Sequence, residues 1–339
     1  MAFDLATVQF LSDMSACILG MIFNALLIVA IFKATDQNLK SYSYLLLASA
    51  CFDFFFSVVE FFTLHQLLSV EGKLMIMSHG FVERFIFPYF GSILMIPHVF
   101  AANHGLLILV AQYHYRYRIV TGADCSVRIL IRDLAITCSL GWIMAAMAWW
   151  GTVQAGWRGR DYYVPYIQKQ DFYVRANEYV LYVSDGQDFI TAAYFKCSFW
   201  FTYICFALSV YYAIRSWLFV RQNRIEGNKR TKRMQAQFTR SLIVQTINTM
   251  IFALIPLSFS SIPMQLNTGS QWPGFFTMIL ISWLSTMNAI CTLYIVRTYR
   301  DYFLKFFGLS RFRSTVMSQN ETPQGTKVVT VSQESGLPR

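Results

Sequence analysis

Two carboxylates, Asp53 and Glu60, stand inside an otherwise apolar run from Tyr42 to Leu68. Seven residues apart, they fall on one face of a helix, two turns from each other. An ionised carboxylate in hydrocarbon is costly, so each must face a bundle interior, pair with a polar group or carry a proton. Asn24 and Asn288 sit at similar depth in their own apolar runs and are the candidate partners of Asp53 in a polar switch. Glu60 is the candidate to face a ligand. The complementary cation comes with Tyr113-His114-Tyr115-Arg116-Tyr117-Arg118, after a stretch from Phe85 to Tyr115 that holds no Asp, Glu, Lys or Arg. Arg116 reads either as an edge anchor, its stem apolar and its guanidinium in water, or as a switch held in one state and offered to a partner in another.

Other chemistry finds little support. The seven cysteines (17, 51, 125, 138, 197, 205, 291) form no CxxC pair, and nearly all fall in apolar segments where cysteine behaves as a small hydrophobe. The five histidines (65, 79, 98, 104, 114) contain no HExxH pair. No metal and no cofactor is expected. A membrane enzyme would need a nucleophile or acid–base constellation at one depth, and none is evident.

The elements that must position these residues follow from composition. The chain is 55% hydrophobic and 14% charged, with a mean hydropathy of +0.42. A soluble domain carries about 25% charged residues, so the chain reads as an all-α membrane protein. Apolar runs place seven transmembrane segments at about 10–32, 42–68, 86–115, 134–156, 196–220, 237–263 and 274–296. Pro88 and Pro97 should bend the third. Ser241 to Val296 holds no charge for 56 residues, too long for one span, and Pro256, Pro263 and the polar stretch Asn267 to Gly274 divide it. A short amphipathic helix at 299–312 should lie on the membrane surface. Residues 313–339, rich in Ser, Thr and Gln, read as a disordered tail after a seven-span domain over 1–312. The long polar stretch between the fourth and fifth segments carries Tyr179-Val180-Leu181-Tyr182-Val183, a candidate strand in a lid-like loop.

Charge sets the orientation. With the N-terminus outside, 21 of the 28 Lys and Arg lie on the inner side, and five of the outer seven belong to the long loop, which translocates largely regardless of charge. The N-terminus is thus expected outside and the C-terminus in the cytoplasm. The net charge of +10 reflects this asymmetry rather than affinity for nucleic acid. No cleavable leader is expected; the first segment should direct its own insertion. The sequon Asn320-Glu321-Thr322 would lie inside, unglycosylated.

Seven spans with Tyr115-Arg116-Tyr117 ending the third resemble the G-protein-coupled receptors. More closely, the chain is similar to the nematode serpentine chemoreceptors of the Str-type superfamily. The resemblance rests on Asn38-Leu39-Lys40-Ser41-Tyr42-Ser43-Tyr44-Leu45, Val58-Val59-Glu60-Phe61, Gln245-Thr246, Pro256 and Leu293-Tyr294-Ile295-Val296-Arg297-Thr298-Tyr299-Arg300, and covers roughly residues 10–312. It implies an olfactory-type receptor in the plasma membrane of a sensory cilium. Such a receptor binds a small molecule and activates a heterotrimeric G protein. Departures are visible: tyrosine replaces the acid before Arg116, and Asn288-Ala289 stands where the family tends to have Asp-Pro. No cysteine in Phe85–Tyr115 or Val153–Lys196 could staple the long loop, which packing alone should hold.

The ligand pocket of such a bundle lies between helices in the outer half. Glu60, His98, Asn103, His104, Phe199, Tyr203, Phe259 and Phe276 are its candidate lining, which suits an apolar or weakly polar molecule. The switch and polar core are Asn24, Asp53 and Asn288. At the inner face Tyr115, Arg116, Tyr117, Arg230, Lys232, Arg233, Arg297 and Arg300 are candidates for G-protein coupling, and the basic residues also attract anionic membrane lipid. Ser314, Thr315, Ser318, Thr322 and Thr326 offer a tail for a kinase or arrestin. A ligand-gated channel or transporter is the alternative, favoured by the two intramembrane acids but opposed by the odd span count and the lack of inverted repeats.

Overall fold

In the computed structural model, residues 5–35, 40–78, 80, 88–123, 126–168, 180–222, 229–266 and 272–308 are described. Long apolar runs dictate its helices: α1 (Leu5–Ala34), α2 (Lys40–Thr63), α3 (Pro88–Thr121), α4 (Val127–Gly156), α6 (Phe189–Gln222), a helix broken into α7 (Lys229–Thr249) and α8 (Ile255–Gln265), and α9 (Trp272–Ile295). Seven helices are long and apolar enough to cross a membrane, α7 and α8 counting as one. A short α5 (Arg160–Gln168) precedes the fifth span, and α10 (Arg297–Phe306) follows the seventh. The helical, seven-span architecture with a further helix after the last span is the expected one.

Several boundaries differ from the sequence expectation. The third helix continues six residues past Tyr115 to Thr121, so Tyr115-Arg116-Tyr117 lies inside it rather than at its end. The second helix stops at Thr63, five residues short. Leu64 then takes φ 40°, a left-handed conformation that costs a residue with a side chain about 1–2 kcal/mol, and the chain turns back as a strand. That strand, β1 (His65–Val70), pairs antiparallel with β2 (Lys73–Ser78) through the two-residue turn Glu71-Gly72, both at positive φ. Such a turn has the twist that tight hairpins require, and Gly72 takes its position without steric cost. The expected strand in the long loop is β3 (Val180–Asp185), which adds to β2 in the order β1-β2-β3.

The small sheet plugs one end of the bundle and shows the period-two logic of a strand. Leu68, Val70, Met75, Met77 and Val183 pack with Ala155, Tyr163 and Ile167 on one face. Leu67, Leu74, Ile76 and Tyr182 face Met95, Val99, Phe100 and Met278 on the other. The long loop is therefore not held by packing alone. A backbone ladder ties it to the hairpin, and the Arg158 guanidinium pairs with Asp185 and, at 2.8 Å, with Asp188. Burial pushes the Tyr163 phenol beside them up from its ordinary pKa. Among the described residues every cysteine is free.

At the opposite end, Leu27, Ile31, Tyr42, Leu46, Phe238, Leu293 and Tyr299 form a second core. Tyr299 anchors α10 beneath α1, its hydroxyl 3.1 Å from Thr35 Oγ1. Between the two ends, Gly20 of α1 lets Ser57, Ser285 and Thr286 approach its backbone, the small-residue contact typical of membrane helices. The sixth span is not a continuous α-helix. Met250–Leu254 form a π turn immediately before Pro256, and such turns occur often at functional sites.

Candidate functional site

Beneath the sheet, α3, α6, α8 and α9 line a cavity of about 140 Å³. A dry cavity of about 150 Å³ admits a molecule the size of benzene. Its wall is mostly apolar, with His98, Asn103, Phe199 and Tyr203 among the lining residues, all four expected there. Asn103 Nδ2 donates to the Val99 carbonyl (2.9 Å), and the Tyr203 hydroxyl lies 2.8 Å from Ser258 Oγ, tying the fifth span to the sixth.

Three candidates fall elsewhere. Phe259 and Phe276 are 63% and 53% exposed and point away from the bundle interior, Phe276 stacking on Trp272 instead. A periodicity that assigns depth does not by itself assign which side of a helix faces inward. His104 is fully buried but sits between Phe52 and Phe100, with ring centroids 4.0 and 5.3 Å away, outside the cavity.

Glu60 lies behind the cavity wall. Its Oε1 accepts the His65 backbone N–H (2.9 Å), and its Oε2 meets His98 Nδ1 at 2.7 Å and His65 Nδ1 at 3.4 Å. Glu60 and His65 are fully buried and His98 nearly so. Burial first, and then the neighbouring His98, push the His65 pKa down to about 4, so its imidazole is neutral at neutral pH. His65 was not among the expected site residues. Five positions past Glu60 on a continuous helix it would point to another face; the turn at Leu64 brings it back.

One layer toward the Arg116 end, the predicted polar core assembles. Asn288 Nδ2 donates to Asp53 Oδ2 (3.3 Å), and Asn248 Nδ2 donates to Asn288 Oδ1 (3.3 Å). Asn24 Nδ2 donates to the Gly20 and Ser285 carbonyls (2.9 and 3.3 Å), and Ser285 Oγ meets Ser57 Oγ. Spans one, two and seven are thus joined through Asn24, Asp53, Asn288 and two serines. Asn248 extends the network to the sixth span, a link the sequence reading lacks. A second cavity of about 30 Å³ lies against Asp53 and Ser285.

At the far end, Arg116 is buried and its guanidinium donates to Thr239 Oγ1 on the sixth span. Its Nε has no partner among the described residues. Three residues earlier, the Tyr113 hydroxyl lies 2.8 Å from Thr246 Oγ1. The two threonines are seven apart on α7 and meet two side chains one turn apart on α3, so a hydroxyl ladder joins the third and sixth spans where an acid–arginine pair is missing. The opposite side of α3 is fixed to the fourth span by His114 Nδ1 and Asp133 Oδ2 at 2.6 Å. Tyr115 is fully buried against Leu45 and Leu130, so it is not free for a partner, and the half-buried Tyr117 packs near Tyr212. Arg297 donates its backbone N–H to Gln237 Oε1 (3.2 Å), and Arg300 donates to the Tyr294 carbonyl (3.4 Å). Arg230, Lys232 and Arg233 lie on the first turns of α7, and their side chains fall outside the described residues. The expected phosphorylation sites, the sequon and the tail over 313–339 also fall outside them.

Comparison with known proteins bears on the family and the fold. The model of the family described as serpentine type 7TM GPCR chemoreceptor Str matches residues 9–304. A Caenorhabditis elegans protein, serpentine receptor class delta-2, is 32% identical over 117 residues. That match spans 34% of this chain and only 32% of the relative. Squid rhodopsin superposes with a TM-score of 0.59 at 11% identity, over 89% of this chain and 85% of its own, a likeness of fold alone.

Proposed function

The chain belongs to the Str family of serpentine seven-transmembrane chemoreceptors, and from that premise we propose that it is an olfactory-type receptor that reads a small apolar or weakly polar molecule and activates a heterotrimeric G protein. The family is one of membrane receptors, not enzymes. The observation that carries the reading is the state of Arg116: a buried cation tied to the sixth span by one hydroxyl, at the opposite end of the bundle from an apolar cavity. Ligand bound in the cavity favours a rotation of the sixth span about its π turn. The Thr239 and Thr246 contacts then part, and the freed Arg116 meets the G protein. The ligand shifts this balance only by its difference in affinity for the two states.

In this reading the sheet end and the N-terminus are extracellular and α10 and the C-terminus cytoplasmic, in the plasma membrane of a sensory cilium. Anionic lipid then meets the basic start of α7, and arrestin or a kinase acts on the tail. Arg116→Ala is expected to abolish agonist-driven G-protein activation while surface expression survives. Normal signalling by that variant would refute the switch. Antibody access to tags on both termini, with and without permeabilisation, tests the orientation; an exposed C-terminus would favour a channel of inverted topology.

A further inference from the structure

Glu60, His65 and His98 offer one carboxylate oxygen and two imidazole nitrogens that all lie within 4.8 Å of one another. We infer that these three residues bind a zinc-class divalent ion whose fourth coordination position opens, past His98, into the 140 Å³ cavity. Two histidines and a glutamate with one position left open are the donor set of catalytic zinc sites. The inference deepens the ligand site proposed above and rests on that reading for its purpose, not for its geometry.

Ligand atoms about 2.0–2.1 Å from a tetrahedral zinc stand roughly 3.3 Å from each other. Glu60 Oε2 and His65 Nδ1 are already 3.4 Å apart. The Glu60–His98 pair, at 2.7 Å, must open by roughly 0.6 Å to admit the metal. Glu60 is oriented from behind, as a metal ligand requires. The His65 backbone N–H takes Glu60 Oε1 and leaves Oε2 to face both imidazoles. The left-handed Leu64, whose N–H donates to the Glu60 carbonyl at 2.7 Å, is the bend that sets His65 in place, so the strained backbone lies where the three donors converge. Burial also argues for the ion. A dication balances the Glu60 charge in a fully buried site.

The open position assigns a ligand chemistry: small molecules whose apolar body fills the cavity and whose thiol or amine donor binds the metal. The test uses full-length receptor purified in nanodiscs without a polyhistidine tag. It is stripped with chelator and titrated with zinc, and cobalt(II) serves as a spectroscopic stand-in. One zinc per receptor is expected, with affinity at least about tenfold weaker in Glu60→Gln and in His98→Ala. His98→Ala keeps the Glu60–His65 contacts and so serves if Glu60→Gln fails to fold. Cobalt should give the visible spectrum of a tetrahedral site, and ethanethiol should shift it in the wild type but not in His98→Ala. Zinc uptake equal in wild type and variants, an octahedral cobalt spectrum, or a spectrum indifferent to ethanethiol would overturn the site. Metal content is read without a G protein, so its failure leaves the receptor reading standing, and lost signalling leaves the metal count unchanged.

Discussion

Removing the Thr239 hydroxyl should switch the receptor on without ligand. Thr239→Ala deletes the acceptor of a buried guanidinium N–H whose neighbour Nε has no partner among the described residues. A hydrogen bond to a charged group contributes about 1.5–3 kcal/mol. If the bond exists only in the resting arrangement, its loss raises the ratio of active to resting receptor roughly 10- to 150-fold. A receptor resting near about 1% active would then idle at roughly 10–60%. Tyr113→Phe removes the second rung, a neutral bond 2.8 Å long. Its expected effect is smaller, roughly 2- to 12-fold. The rungs hold the same two helices in the same state, so the double variant should idle above either single variant. The assay is agonist-free nucleotide exchange on G protein in receptor membranes, normalised to surface receptor. Thr239→Ser keeps a hydroxyl at the site and should stay near wild type. Basal exchange unchanged or lowered in Thr239→Ala would refute the idea that this ladder restrains Arg116.

The cavity makes a sharp distinction among aromatic residues. Phe199→Ala should weaken the response to an agonist at least about tenfold, the loss expected of a buried aromatic contact, while Phe259→Ala and Phe276→Ala leave the half-maximal concentration unchanged because their rings face outward. A rank order with Phe259 most sensitive would sink the pocket assignment. Gly274→Ala places a Cβ on the Leu67 carbonyl, so α9 must back away from β1 at a cost of about 1–3 kcal/mol. Gly105→Ala meets nothing within 4 Å and should be neutral or slightly stabilising. Thermal unfolding in detergent separates the two, and equal midpoints would show that the sheet does not dock on α9 as described.

Span number, and the depth at which each polar residue lies, were legible because an apolar run of membrane length leaves the chain few alternatives. Asn24, Asp53 and Asn288 could be joined on the same grounds, since polar groups at one depth in hydrocarbon must find each other. What depth could not supply was rotation about each helix axis. Phe259 and Phe276 lie at pocket height but on the outward side of their helices, and His104, at the same depth, is packed between Phe52 and Phe100. The hairpin was invisible for a different reason. His65-Gln66-Leu67-Leu68 continues the apolar composition of α2, and only Glu71-Gly72 marks the turn, so a residue unfavourably placed at Leu64 decides where helix gives way to strand. Thr239 and Thr246 did carry a signal, two hydroxyls seven apart in the sixth span, but its meaning required Tyr113 and Arg116 on the facing helix.

The sixth span ties these layers into one device. From the sheet end inward it carries Ser258 and Leu254 on the cavity, the π turn at Met250–Leu254, Asn248 on Asn288, Thr246 on Tyr113 and Thr239 on Arg116. Thr277 of the seventh span donates to the Pro256 carbonyl at 2.8 Å, which fixes the upper limb and leaves the π turn as the place where the lower limb can rotate. The energies are of matching size. The two rungs together contribute about 2–4.5 kcal/mol to the resting state. A ligand must favour the open state by the same amount, roughly 30- to 2,000-fold in affinity. At about 0.8 kcal/mol for each methylene buried in one state and not the other, three to six such groups suffice. A cavity of about 140 Å³ accommodates a molecule of that size. In the proposed mechanism, a resting state held by two hydroxyls, rather than by a buried ion pair, is weak enough for a small apolar molecule to release.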